Sequence, residues 1–228
     1  MFNPSLSKLH KQQIIIQVIG ILLAVLLSFS ISLTISLFNI SYHDRIFYSQ
    51  FSKLIVVAFL VFYASRVEKQ PLLLWTGNDS GIGFTLLSVL VLYVAYILEA
   101  FVSSIPYWFG YRDSDQFMRM EMQLLRGHPL LIFFISITAG ITEELIIRAY
   151  LLTRLSTFFK EPYMPIIISS GIFSALHYKY HSLSEFIFTF LFGVVGSVYY
   201  IRYRNIHALI LAHFLIDFIV FTTAQHYY

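Results

Sequence analysis

Apolar residues fall along this chain in long runs separated by short polar punctuation, not in the three-four spacing of a surface helix or the alternation of a half-buried strand. A bilayer core of roughly 30 Å takes about 20 apolar residues of helix to cross. Seven runs approach that size: 14–38, 46–63, 82–102, 130–152, 164–177, 186–201 and 206–223. They predict an all-α fold, a polytopic transmembrane helix bundle of about seven helices, with six to eight as the range. The first run, preceded by Lys8 and Lys11, has the outline of a signal peptide, but it is too long and no small-residue cleavage site follows, so it reads as a retained helix. Its Ser28, Ser30, Ser32, Thr34 and Ser36 can hydrogen-bond back to helix carbonyls and need no other role.

Two stretches between the runs read as extramembrane. Gly77-Asn78-Asp79-Ser80-Gly81 is a turn-rich loop whose Asn-x-Ser sequon is taken as chance. Residues 107–128 suffice for an interfacial helix, with Tyr107, Trp108 and Tyr111 as anchors and Arg112, Arg119 and Arg126 reaching toward headgroups. No internal repeat, low-complexity tract or second domain interrupts the pattern, so 1–228 reads as a single membrane domain.

Composition agrees with lipid as the solvent. Apolar residues make up 58% of the chain and charged ones 12%, leaving too little polar surface for a soluble globule. With no cysteine, disulfides, thiolate metal sites, cysteine nucleophiles and cysteine lipidation are excluded. The net charge of +3 is spread over short loops, a topology signal and no nucleic-acid footprint. With the N-terminus in the cytoplasm, Lys8, Lys11, Arg66, Lys69, Arg154, Lys160, Arg202 and Arg204 lie inside, and Arg45, Lys53, Arg112, Arg119, Arg126 and Lys179 outside. That excess favours a cytoplasmic N-terminus and, with an odd number of spans, an external C-terminus, in what we expect to be a bacterial plasma membrane.

The fourth run carries Glu143, Glu144 and Arg148 in its middle. Each unpaired charge at the centre of a membrane helix costs about 2.5–3.5 kcal/mol on insertion scales, so the three must be paired, neutralised or hydrated. Glu144 and Arg148 stand at i, i+4 with the acid N-terminal, the favourable order for an ion pair on one face. Glu143 lies about 100° round the helix and is free to face elsewhere. His177 ends the fifth run, and His213 and Asp217 share a face of the seventh. A lone membrane histidine more often makes a helix–helix hydrogen bond than a catalyst, but these groups agree in depth. If the fourth and fifth runs turn near Glu161-Pro162, Glu143 and His177 differ by only about 3 Å in height, and His213 joins them in a plane roughly 15 Å below the boundary marked by Arg154 and Arg204. The fifth run is short and leads into polar Tyr178-Lys179-Tyr180-His181, which points to a wet cavity at membrane depth.

A carboxylate beside an imidazole can deprotonate a water for attack on a carbonyl. Other intramembrane hydrolytic designs are missing their motifs: there is no Cys, no His-Glu-x-x-His, no Gly-x-Ser-Gly and no Gly-x-Gly-Asp. Glu143-Glu144-x-x-x-Arg148, Phe173-x-x-x-His177 and His213-x-x-x-Asp217, in that order and in three hydrophobic segments, resemble the motif set of the CAAX protease and bacteriocin-processing family, also called the Abi family. Phe190-Leu191-Phe192-Gly193-Val194-Val195-Gly196 resembles that family's small-residue helix, and the resemblance spans about 130–223.

The resemblance implies a metal-independent glutamate endopeptidase without a cofactor, cutting a peptide or membrane-anchored protein in or beside the bilayer. In this reading Glu143 with His177 activates the water, Glu144 pairs with Arg148 to hold the helix, and His213 with position 217 stabilises the oxyanion. Asp217 stands where the best-known prenyl-protein members have Asn. An ionised carboxylate repels an oxyanion, so Asp217 either is protonated or orients His213. Three other readings compete: a membrane immunity or scaffold protein that binds a peptide or partner without cutting it, a metalloenzyme using Glu143, His177, His213 and Asp217 as ligands, and a proton-coupled transporter. Substrate identity and oligomeric state are not encoded in these motifs.

Overall fold

The computed structural model describes residues 4–37, 41–77, 81–114 and 116–227, and among them every regular element is helical. In chain order these are α1 (Pro4–Leu37), α2 (Tyr42–Phe62) running into a π-helical stretch (Tyr63–Glu68), α3 (Ile82–Ser103), α4 (Ile105–Trp108), α5 (Gln116–Leu125), α6 (Pro129–Glu143) running into a second π-helical stretch (Glu144–Leu152), α7 (Thr153–Leu155), α8 (Tyr163–Leu176), α9 (Leu183–Tyr203) and α10 (Ile206–Ala224). Phe38 and the Asn78-Asp79-Ser80 sequon lie outside the described residues, as do the side chains of Ser32, Thr34 and Ser36. Ser28 and Ser30 do bond back to carbonyls, those of Ala24 and Leu27.

All seven expected spans are helical. Six are long and apolar enough to cross a membrane: Lys11–Ser30, Asp44–Glu68, Ile82–Trp108, Pro129–Leu155, Leu183–Tyr203 and Ile206–Ala224. The other, α8, has 14 residues. It is therefore about 21 Å long, short of a bilayer core. A 3-10 turn, Tyr178–Tyr180, and a left-handed His181 (φ 49°) carry the chain on to α9. Large apolar side chains such as Leu86, Leu90, Leu98 and Phe101 of α3 are exposed, as lipid-facing residues are.

The single interfacial helix expected over 107–128 is instead two short ones. Gly110 takes φ +89°, a left-handed turn that a side chain would resist, and ends the first. Asp113 is then drawn to the start of α9, where its carboxylate accepts the backbone N–H groups of Leu183 (2.6 Å) and Ser184 (3.2 Å). Partial burial opposes ionisation there, but these bonds, with those of the Ser184 and Ser182 side chains, outweigh it and hold the Asp113 carboxyl below its ordinary value.

α6 and its π-helical continuation form the central element, with α10 and α2 packed on α6 and α8 packed on the continuation. Gly140 sets the approach of α6 to α10: a Cβ there would stand 3.0 Å from the backbone of Ile210 and Phe214, so a side chain would push α10 back by a few tenths of an ångström. The two π-helical stretches face one another through a buried ion network. Glu68, at the end of the first, accepts from Tyr150 (2.7 Å) and from Arg154 Nε and Nη2 (3.1 and 2.8 Å). Arg154 also caps the carbonyls of Pro71 and Leu72, so a fully buried arginine holds the loop after α2 against the end of the central helix.

Lys53 corrects the charge count. It lies inside α2 and bonds Glu143, so it does not mark an external loop. Arg154, buried in a span and paired with Glu68, drops from the internal tally by the same test, so eight against six becomes seven against five and the excess stays at two.

Candidate active site

The site is assembled where the α6 ladder changes. The π-helical stretch begins at Glu144, and such widened turns recur at functional sites because they re-aim neighbouring side chains. Glu143 and Glu144 consequently serve different partners. Glu144 is buried and accepts from Arg148 Nη1 (2.9 Å), the i, i+4 pair expected, but its same oxygen also receives His213 Nδ1 from α10 (2.8 Å). A carboxylate can only accept, so His213 carries a proton on Nδ1 and turns Nε2 away from Glu144. That Nε2 faces Asp217 Oδ2 at 3.6 Å and Glu143 Oε2 at 3.8 Å, beyond hydrogen-bond reach and close enough for one oxygen atom to lie among them. The orienting partner of the His213 ring is thus Glu144, which composition and spacing had assigned only to Arg148.

Arg148 is fully buried, and its surroundings explain the glycines of α9. Its Nη2 donates to the Phe192 carbonyl (3.1 Å) and its guanidinium lies over the rings of Phe173 and Phe192. A Cβ on Gly196 would fall 2.7 Å from Nη2, and one on Gly193 would fall 2.9 Å from the Ser170 backbone. The first glycine makes room for the cation and the second for α8.

His177 comes from the C-terminal end of α8. Its Nδ1 lies 2.9 Å from the Phe173 carbonyl, which accepts, so Nδ1 carries the proton and Nε2 is the acceptor in the neutral ring. The Phe173 ring meets it edge-on. Glu143, His177, His213 and Asp217 all line one cavity of about 430 Å³, within the size range of small-molecule and peptide subsites. Its walls mix these groups with apolar side chains such as Val56, Ile135 and Phe188. Glu143, His177 and His213, placed near one plane by counting residues, do share one cavity, and Asp217 lines it with them. Among the described residues, no group of three His, Asp or Glu side chains is spaced to hold a metal ion.

Lys53, Glu121 and Glu185 line the same cavity and were not among the candidates drawn from the sequence. Lys53 of α2 donates to Glu143 Oε1 at 2.7 Å. Glu99 of α3, 6% exposed, lines with Arg148 and Gly196 a second space of about 10 Å³. Neither Glu99 Oε2 nor Arg148 Nε has a hydrogen-bond partner among the protein atoms, and the space approaches what one water needs. Lys53 and Glu99 stand inside runs marked as spans, where a single charge is itself a pointer to function.

No curated protein and no solved structure matches the chain. Residues 126–219 do match a family model, that of type II CAAX prenyl endopeptidase Rce1-like proteins. The match takes in Glu143, Glu144, Arg148, His177, His213 and Asp217 together, so the C-terminal part of this chain is similar to the CAAX protease family.

Proposed function

We propose that the protein is an intramembrane glutamate endopeptidase whose nucleophile is a water activated by Glu143 and His177. The observation that carries this reading is the convergence of Glu143, His177, His213 and Asp217, from α6, α8 and α10, on a single cavity. A water there gives its proton to Glu143 while its oxygen adds to a peptide carbonyl carbon. The oxygen of that carbonyl gains the negative charge, and a protonated His213 stabilises it from Nε2. Asp217 and Glu144 flank that imidazolium on its two sides, which gives Asp217 a role that does not require it to meet the oxyanion. The C–N bond then breaks, Glu143 returns its proton to the leaving amine, and the products are a free amine and a new carboxyl group that releases its remaining proton to water. Glu144 and Arg148 do no chemistry in this scheme; they fix the ring of His213.

No step requires a metal or cofactor. The substrate is a membrane-associated peptide or protein, and peptide processing or self-immunity in a bacterial plasma membrane is the setting that the bacteriocin-linked resemblance supports. We read 1–228 as one domain, because α1 and α2, outside the matched segment, pack on the π-helical stretch that continues α6 and complete its core.

The test compares processing of a membrane-anchored peptide by wild type, Glu143→Ala and His177→Ala at matched membrane levels. Loss of processing in both variants is expected. Processing that continues unchanged in both removes the enzymatic reading, and retained protection or binding by both would identify a protein that captures its peptide without cutting it. Activity that survives purification with chelator separates this scheme from a metalloenzyme.

A further inference from the structure

We infer that Lys53 is a positioning residue of the reaction centre: from α2, outside the family-matched segment, it fixes the orientation and the charge of the Glu143 carboxylate. The inference rests on the protease reading for its consequence, but its physical content is independent of it.

Three observations carry it. The ammonium of Lys53 lies 2.7 Å from Glu143 Oε1, a charge-assisted bond at the short end of the range. Its side chain is 31% exposed and that of Glu143 15%, so the pair is partly accessible at the cavity wall and is not sealed in the core, unlike Glu68–Arg154. Among the described residues lining the cavity, Lys53 is the one lysine or arginine, against carboxylates at Glu121, Glu143, Glu185 and Asp217.

The geometry divides the labour of Glu143 between its oxygens. Oε1 is taken by Lys53, which leaves Oε2 as the oxygen turned toward His213 Nε2. An unheld glutamate at this depth has two favourable alternatives: to rotate toward His213 and cap it, or to take a proton, since burial disfavours an uncompensated carboxylate. Either removes the base. Lys53 closes both routes by supplying the compensating charge from a helix that His177, His213 and Asp217 do not occupy. A lysine suits the task because its point charge on a flexible stem can follow the carboxylate as the water loses its proton.

The experiment uses the full chain in lipid vesicles with Lys53→Met, Lys53→Gln, Lys53→Arg and Glu143→Gln, read in two ways. In peptide cleavage, Lys53→Met and Lys53→Gln lower kcat by on the order of 100-fold, the cost of a misplaced catalytic group, while KM changes little. Lys53→Arg, which keeps the charge, recovers most of kcat. Glutamine is one bond shorter but keeps an N–H donor, so it serves if methionine prevents folding. In infrared spectra, Lys53→Met gains a protonated-carboxyl band that disappears when Glu143→Gln is added and that Lys53→Arg does not show. Wild-type kcat in Lys53→Met or Lys53→Gln, or no new band, overturns the inference. If instead Glu143→Gln cleaves as wild type does, the protease reading fails by itself, and the infrared comparison still decides whether Lys53 governs Glu143.

Discussion

A single oxygen atom, Glu144 Oε1, accepts both the Arg148 guanidinium and the His213 imidazole, so one buried carboxylate joins the ion pair of α6 to the ring of α10. Glu144→Gln keeps the shape and removes the charge, leaving Arg148 uncompensated where it is fully buried. Breaking a buried pair in this way costs about 3–5 kcal/mol, so the variant should unfold at markedly lower temperature in detergent and lose cleavage with it. The i, i+4 spacing announced the Glu144–Arg148 pair, since both partners lie on one helix. Nothing in spacing announced Lys53 as a member of the site, because its partner Glu143 is 90 residues away and hydropathy averaged over a run conceals one charge. His213 was found as a candidate, but its orienting partner was not, since which of two adjacent glutamates it meets depends on the π-helical turn that begins at Glu144.

Helices here are placed by glycines where they must touch and by hydrogen bonds where they must end. Gly140→Leu pushes α6 from α10 at the level of His213; overpacking of this kind costs about 1–3 kcal/mol, and activity should fall further than stability because the Glu144–His213 bond spans that contact. Gly171 of α8 is the control, having open space around it, and Gly171→Ala should leave melting temperature unchanged or raise it by up to about 1 kcal/mol of stability. The start of α9 depends on Asp113, whose carboxyl is held below its ordinary 3.8. A carboxyl lowered by folding adds stability above its unfolded value and loses it as pH falls through the folded one, so exchange of the Leu183 and Ser184 amides should accelerate only below about pH 3.8, and Asp113→Asn should accelerate it at neutral pH. Element existence was legible in the runs, and the short α8 with its polar exit was read correctly. The division of 107–128 was not, because it follows from a bond made by Asp113 to a helix 70 residues onward.

For the molecule as a whole, the expected side of the membrane rests on the charge tally without Lys53 and Arg154. The chain has no cysteine, so single introduced cysteines report on topology without background. Lys160→Cys should react with an impermeant maleimide only after the membrane is opened, and His226→Cys should react in intact cells; the reverse pattern inverts the orientation. The cavity, in contrast, depends on helices from both halves of the chain meeting in three dimensions, and the most direct test of that meeting is chemical. Cleavage of a membrane-anchored peptide in heavy-oxygen water by purified wild type, Glu143→Gln and His177→Ala, with peptide binding measured alongside, asks whether these side chains act on the water that ends in the product. Labelled oxygen in the new carboxylate, with kcat lost in both variants and binding retained, is the predicted result. Equal labelling and equal rates in all three proteins would contradict the account.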